Sequence, residues 1–409
     1  MTDTSDNLTL TPIDGGVTAP KGFRAAAVAA GLKPAGALDV AVIVAEQTSP
    51  AAAVFTTNKV AAAPVLVSRR HVASGSARAV VINAGNATAC TGARGEADAQ
   101  ATASAVADLL GCDADDVLVC STGVIGVPLP ADKLLAALPG AVAQLSATGG
   151  PEVARAIMTT DTVAKEVAVE FTVGATTCRV GGTAKGSGMI QPNMATMLSV
   201  ITTDAPLSSE ACDAALRAAI NATFNRVTID SDTSTNDTCV LLASGAAGGD
   251  SISPSDSRFD AVASAVRAVA EGLARMIARD GEGATKLITV TVRGAASDAD
   301  AELAAFAIAN SPLVKTAIFG RDANWGRVAM AIGKSGCDLD PAAFDITFAG
   351  IPVCSTGAAM GFDEDAAFAA LGETDVDVLV DLHLGKGKAT VWTCDLTYDY
   401  VRINGEYRS

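Results

Sequence analysis

The sequence predicts a mixed α/β or α+β fold. Three observations carry that prediction. Short apolar, strand-like runs recur along the whole chain. Between them lie stretches with an apolar residue every three or four positions, the period of a helix with one buried face. And 49% of the 409 residues are hydrophobic against 18% charged, which is ample for a large core. That length favours two or three domains, and no fixed-period repeat or low-complexity linker divides them.

The elements follow in order. Val40–Val44 and Ala79–Ile82 read as buried strands. Arg94 to Leu110 has a helical pattern, Val117–Val119 a strand-like one, and Ala131 to Leu145 is helical again. Val167 to Val173 is extended. After the loop residues Gly186, Gly188 and Pro192, the run Met197–Ile201 begins a buried strand abruptly. Ser208-Ser209-Glu210 marks a helix start, and that helix runs to about Phe224. The clearest helix carries Val262, Val266, Val269, Leu273, Met276 and Ile277 on one stripe. Leu287–Val292 and Val376–Leu384 read as strands, and Thr390 to Ile403 as one long extended segment. The clearest surface loop is Gly245 to Pro254, rich in Gly, Ser and Asp.

Composition excludes several functions. The net charge is -16, whereas nucleic-acid binding needs clustered Lys and Arg. The same balance disfavours an anionic membrane surface. No uncharged run reaches the roughly 18 residues of a membrane span, and the acidic, polar N-terminus lacks the features of a signal peptide. A cytoplasmic protein is expected. Nine scattered cysteines without a CxxC pair argue for buried reduced thiols over zinc or disulfides. No metal or cofactor is expected. With two histidines, no HExxH and no GxSxG, zinc-protease and Ser-His-Asp chemistry are poor fits. Gly333-Lys334-Ser335 ends like a phosphate loop, but Val328 occupies the position that needs glycine. A helix ending there is the simpler reading.

Nucleophilic chemistry without histidine needs another base. A threonine with a free α-amine supplies one, because an α-amine has a pKa of about 7.7–8.0. Thr196 follows the small Ala195 in a loop broken by Gly and Pro. Attack of its hydroxyl on the Ala195 carbonyl, then hydrolysis of the ester, would leave Thr196 heading a new chain. Taken alone, a threonine opening a buried strand is ordinary β-propensity.

The segment 185-KGSGMIQPNMATMLSVITTDA-205 resembles the self-cleavage signature of the glutamate N-acetyltransferases, or ornithine acetyltransferases, of arginine biosynthesis. The resemblance extends through 83-NAGNATACTG-92, 121-STGVIG-126, 158-MTTDT-162, 228-TIDSDTSTNDT-238, 281-GEGATK-286, 320-GRDANWGR-327 and 403-INGEYRS-409. It implies cleavage at Ala195–Thr196 into chains 1–195 and 196–409. Those chains usually stay together as α2β2. It also implies an N-terminal-nucleophile-like fold of stacked sheets flanked by helices, with a further α/β region in the second chain. The implied reaction moves acetyl from N-acetylornithine to glutamate. Members differ in using acetyl-CoA as a second donor, and no motif here decides between them.

By the same resemblance Thr196 is the acylated nucleophile, and Thr122 and Gly123 form the oxyanion hole. Thr159, Lys185, Glu282, Asn404 and Ser409 contact substrate, with Thr160 an alternative to Thr159. Lys185 suits an α-carboxylate and Glu282 a cationic amino-acid end. The competing expectation is an N-terminal-nucleophile aminopeptidase or amidohydrolase of related fold.

Overall fold

A computed structural model describes residues 8–191 and 197–406. Among these, nine strands form the first part: β1 (Thr11–Pro12), β2 (Phe23–Val28), β3 (Val40–Phe55), β4 (Ser76–Asn86), β5 (Val117–Val124), β6 (Lys165–Val173), β7 (Thr176–Lys185), β8 (Leu198–Thr203) and β9 (Thr238–Ala243). Strand β3 belongs to two sheets. Its first half pairs with β2 and β4, its second half with β9, and its register against β4 breaks between Val44 and Ser49. One sheet is thus β2–β3–β4–β5 and the other β1–β6–β7–β8–β9–β3.

Residue parity shows how the sheets stack, because successive strand residues face opposite sides. Ala41, Ile43, Val80, Ile82 and Leu118 of the first sheet share one core with Leu198, Val200, Val240 and Leu242 of the second. Their neighbours Val40, Val42, Val44, Val81, Val117 and Val119 face the other way. There they meet α2 (Gly92–Leu110) and α3 (Ala131–Ala143), which follow α1 (Ala63–His71) and precede α4 (Gly150–Ala156). On the far side of the second sheet, Val180, Ile201, Cys239 and Leu241 pack against α5 (Ser209–Ala222) and α6 (Phe259–Arg279). The result is four layers: helix, sheet, sheet, helix. The stripe of α6 is buried as its spacing predicts, except that Met276 is half-buried.

A second sheet system follows, from β10 (Leu287–Ala295), β11 (Asp345–Phe348), β12 (Ile351–Ser355), β13 (Ala358–Ala359), β14 (Asp375–Asp381) and β15 (Gly387–Cys394). Their order is β13–β12–β11–β14–β10–β15, with β10 and β14 parallel. Helices α7 (Asp298–Ala309), α8 (Pro312–Phe319), α9 (Trp325–Gly333) and α10 (Glu364–Ala370) share its core. Lys334 caps the end of α9, so the GKS residues form a helix terminus and not a phosphate loop. The mixed α/β class, the stacked sheets flanked by helices and the additional C-terminal region all match expectation.

The expected extended tail does not. Strand β15 stops at Cys394, and Tyr398–Glu406 is a helix, α11. The break is local and polar. The Asp395 carboxylate accepts from the backbone N–H groups of Thr285 and Lys286, at 2.8 and 2.9 Å. Thr397 donates its hydroxyl to the Gly283 carbonyl at 2.6 Å and accepts from the Asp399 N–H, which starts the turn. The cysteines also depart in part: six are buried, but Cys112 and Cys337 are half-buried and Cys90 is exposed. No helix among the described residues is long and apolar enough to cross a membrane.

Candidate active site

The ends of the two stacked sheets position the site. Thr122 and Gly123 lie near the end of β5, opposite Ala84 and Gly85 of β4. Gly123 has φ +132, and a Cβ there would stand 2.3 Å from the Gly85 carbonyl carbon, so only glycine fits. Lys185 is the last residue of β7 and pairs with Leu198, the first of β8. Its Nζ donates to Thr122 Oγ1 at 3.3 Å, linking the ends of both sheets. That bond occupies a lone pair of the Thr122 oxygen and leaves its O–H free to donate elsewhere.

Around this link is a cavity of about 140 Å³. Its lining includes Thr122, Gly123, Thr159, Thr160, Lys185, Glu282 and Asn404. All six substrate and oxyanion candidates within the described residues therefore converge. Thr159 and its alternative Thr160 both reach the cavity. The Thr160 hydroxyl is already bonded to Ser187 Oγ at 2.7 Å. Ala195, Thr196 and Ser409 lie outside the described residues. On the near side of that gap, the Met197 carbonyl accepts from the Thr238 N–H at 3.1 Å where β8 begins.

Glu282 follows α6 in a tight turn, and its N–H donates to the Ser187 carbonyl at 2.7 Å. Its carboxylate lies over Gly188, where a Cβ would be 2.4 Å from Oε2. Asn404 of α11 donates to the same Oε2 at 2.7 Å. A carboxylate buried to 8% exposure and an ammonium buried to 5% thus face one small cavity, which suits a zwitterionic ligand.

Behind the lining is a charge cluster that sequence reading missed. Asp161 and Lys165 are buried, with Lys165 bonded to Asp161 at 2.7 Å and Asp280 at 2.6 Å. Asn236 was missed as well. It lines the cavity and donates to the Ala87 and Ser121 carbonyls, at 2.6 and 2.9 Å. Its neighbour Asp237 is buried with Oδ2 unbonded, and burial raises its carboxyl well above the usual range. The signal was present for Asp161, Asn236 and Asp237, because they stand within the matched segments MTTDT and TIDSDTSTNDT. Neither histidine is nearby: His71 is buried against the Val117 carbonyl and His383 pairs with Asp345. Among the described residues no group of three His, Cys, Asp or Glu could hold a metal ion.

A four-layer α/β sandwich with a charged cavity where its sheets end defines a class: an α/β protein of stacked sheets with a site for a small polar molecule. The chain belongs to the ArgJ family, whose model matches residues 24–409. It is 50% identical over 397 residues to the arginine biosynthesis bifunctional protein ArgJ of Symbiobacterium thermophilum, covering 97% of this chain and 99% of that one. The protein of the same name from Caldanaerobacter subterraneus subsp. tengcongensis is 49% identical over 401 residues, again 97% of this chain and 99% of that one. A crystal structure of ArgJ from Bacillus halodurans is 48% identical, covers 50% of this chain and 97% of that chain, and has a TM-score of 0.49. Family membership favours the transferase over the amidohydrolase alternative.

Proposed function

We propose that this protein transfers the acetyl group of N-acetylornithine to glutamate, giving ornithine and N-acetylglutamate. The observation that carries this reading is the convergence of Thr122, Gly123, Thr159, Lys185, Glu282 and Asn404 on one cavity, although they are far apart in sequence. In this reading the chain first cuts itself between Ala195 and Thr196. The Thr196 hydroxyl attacks the Ala195 carbonyl, the peptide C–N bond breaks, and water hydrolyses the resulting ester. The pieces 1–195 and 196–409 remain together in the cytoplasm as α2β2.

In turnover the Thr196 hydroxyl, its proton taken by the new α-amine, attacks the acetyl carbonyl. The Thr122 hydroxyl and the Gly123 N–H receive the negative charge on that oxygen. Such preorganised donors are worth about 2.7–4 kcal/mol each. The acetyl C–N bond breaks, and ornithine leaves with the proton. Glutamate enters the same cavity, and its amine takes the acetyl group from the Thr196 ester. Lys185 holds the α-carboxylate common to both amino acids, and Glu282 with Asn404 holds the cationic end of ornithine. Ser409 completes the pocket. No cofactor takes part, and whether acetyl-CoA serves as a second acetyl donor is what the separate-donor assay decides.

Glutamate acetylation with N-acetylornithine and acetyl-CoA, assayed separately, tests the reaction. Transfer from N-acetylornithine is expected, and release of free acetate in its place overturns the reading. Thr196→Ala is expected to stay one chain and to be inactive. Cleavage at that bond in the variant would remove Thr196 from the self-processing role.

A further inference from the structure

We propose that Asp161 is a positioning residue for substrate-carboxylate recognition, holding Lys185 and the Thr159 backbone in place from behind the cavity wall. This rests on the role given to Lys185 above and assigns a residue that does not line the cavity. Asp161 is 8% exposed, and each of its oxygens serves two sides. Oδ1 accepts from the Gly186 N–H and from Lys165 Nζ, both at 2.7 Å. Oδ2 accepts from the Thr159 N–H at 2.9 Å and stands 4.0 Å from Lys185 Nζ. One carboxylate therefore ties together the two chain segments that carry Thr159 and Lys185. Lys165, with no exposed side-chain surface, is clamped between Asp161 and Asp280 and cannot itself reach a ligand.

The arrangement explains how a buried ammonium can serve as an anion receptor. Burial pulls Lys185 below its ordinary range. Asp161 and Glu282 oppose that fall, as Asp237 does only once it ionises, and Lys165 adds to it. Lys33, itself pulled down to about 8 by burial, faces the same group from the loop after β2. For Asp161, burial works against ionisation, but Lys185, Lys165 and the Thr159 N–H outweigh it and hold the carboxyl below the usual range. Asp161 is therefore a fixed negative charge at working pH. It favours the charged form of Lys185 from 4.0 Å, and leaves the N–H groups not bonded to Thr122 able to point at the cavity.

The test uses the whole, self-processed protein and the KM for glutamate from pH 7 to 10. In the parent, KM is expected to rise at alkaline pH as Lys185 loses its proton. Asp161→Asn is expected to move that rise to lower pH by roughly one unit, with kcat changed less than KM. Asp280→Asn removes an equal charge from Lys165 without facing Lys185. It is expected to lower the melting temperature and leave the alkaline rise in place. Equal displacement in both variants, or none in Asp161→Asn, overturns the proposal. If Asp161→Asn does not fold, Asp161→Glu decides, because it keeps the charge and displaces the bonds to the Thr159 and Gly186 N–H groups: the KM for glutamate is expected to rise severalfold with melting near that of the parent. An unchanged KM overturns the assignment. The same comparison read as thermal protection by glutamate needs no turnover. A parent that acetylates no glutamate defeats the proposed function, whereas an active parent with an unmoved rise in Asp161→Asn defeats only the role of Asp161.

Discussion

Glu282 has three fixed relations: its own N–H is bonded to the Ser187 carbonyl, its carboxylate lies over Gly188, and Asn404 donates to its Oε2. A charge so placed discriminates between ligands. Glu282→Gln keeps the shape and removes the charge, and a hydrogen bond to a charged group is worth about 1.5–3 kcal/mol. The KM for N-acetylornithine is therefore expected to rise by roughly tenfold to a hundredfold, while melting stays near that of the parent. Steady-state kinetics with both amino acids checks this, and an unchanged KM would remove Glu282 from the ligand. At this scale Thr122, Gly123, Thr159, Lys185, Glu282 and Asn404 were legible because each belongs to a short matched segment, and Asp161 and Asn236 were passed over although they stand in such segments. Lys165 and Asp280 were not legible, because a buried ion cluster forms between segments and has no spacing of its own. Asp237 makes a separate prediction. Its carboxyl is raised by burial, so between the unfolded and folded pKa the native state holds a proton that the unfolded chain has lost. Stability is then full below about pH 4 and declines as pH rises. Asp237→Asn should leave melting unchanged at pH 4 and raise it increasingly toward neutrality. A uniform shift at every pH would contradict this.

Helix α11 is the element most dependent on the site. None of its residues is buried, and Tyr398 and Val401 are 85% and 70% exposed. It is held by Asn404 on Glu282, by the Tyr400 hydroxyl on Asp230 at 3.4 Å, and by the Thr397 turn. Among the described residues, deleting Asn404 to Ser409 removes no buried side chain, so melting should change by only a few degrees while transfer falls at least tenfold. Circular dichroism melting and the acetyl-transfer assay check this together. Full activity in the truncated chain would remove the C-terminus from the site. The sequence misread this helix because Tyr398, Tyr400, Val401 and Ile403 are strand-forming types. The Thr397 and Asp395 bonds that set its start are tertiary. Helix α6 was legible for the opposite reason, since its burial repeats at the helical period.

At the scale of the whole molecule, parity along the apolar runs already contained the two faces of each sheet. It did not contain the bend of β3, which decides that nine strands make two sheets and not one. That bend rests on the pairing of Ala51 to Phe55 with β9, far along the chain. The position of the proposed cut within this arrangement has its own consequence. Strand β7 lies before Ala195 and β8 after Thr196, yet they are paired residue by residue from Val180↔Thr203 to Lys185↔Leu198. Helix α6, from the second piece, also covers β6 and β7 of the first. The boundary between the two products is thus the interior of a single folded unit. Parting them would expose that interior to water, so two pieces cut there are expected to share one unfolding transition and to resist exchanging mates. A cell making two versions of such a cut protein is then expected to hold two separate populations, each half kept with the half it was synthesised beside.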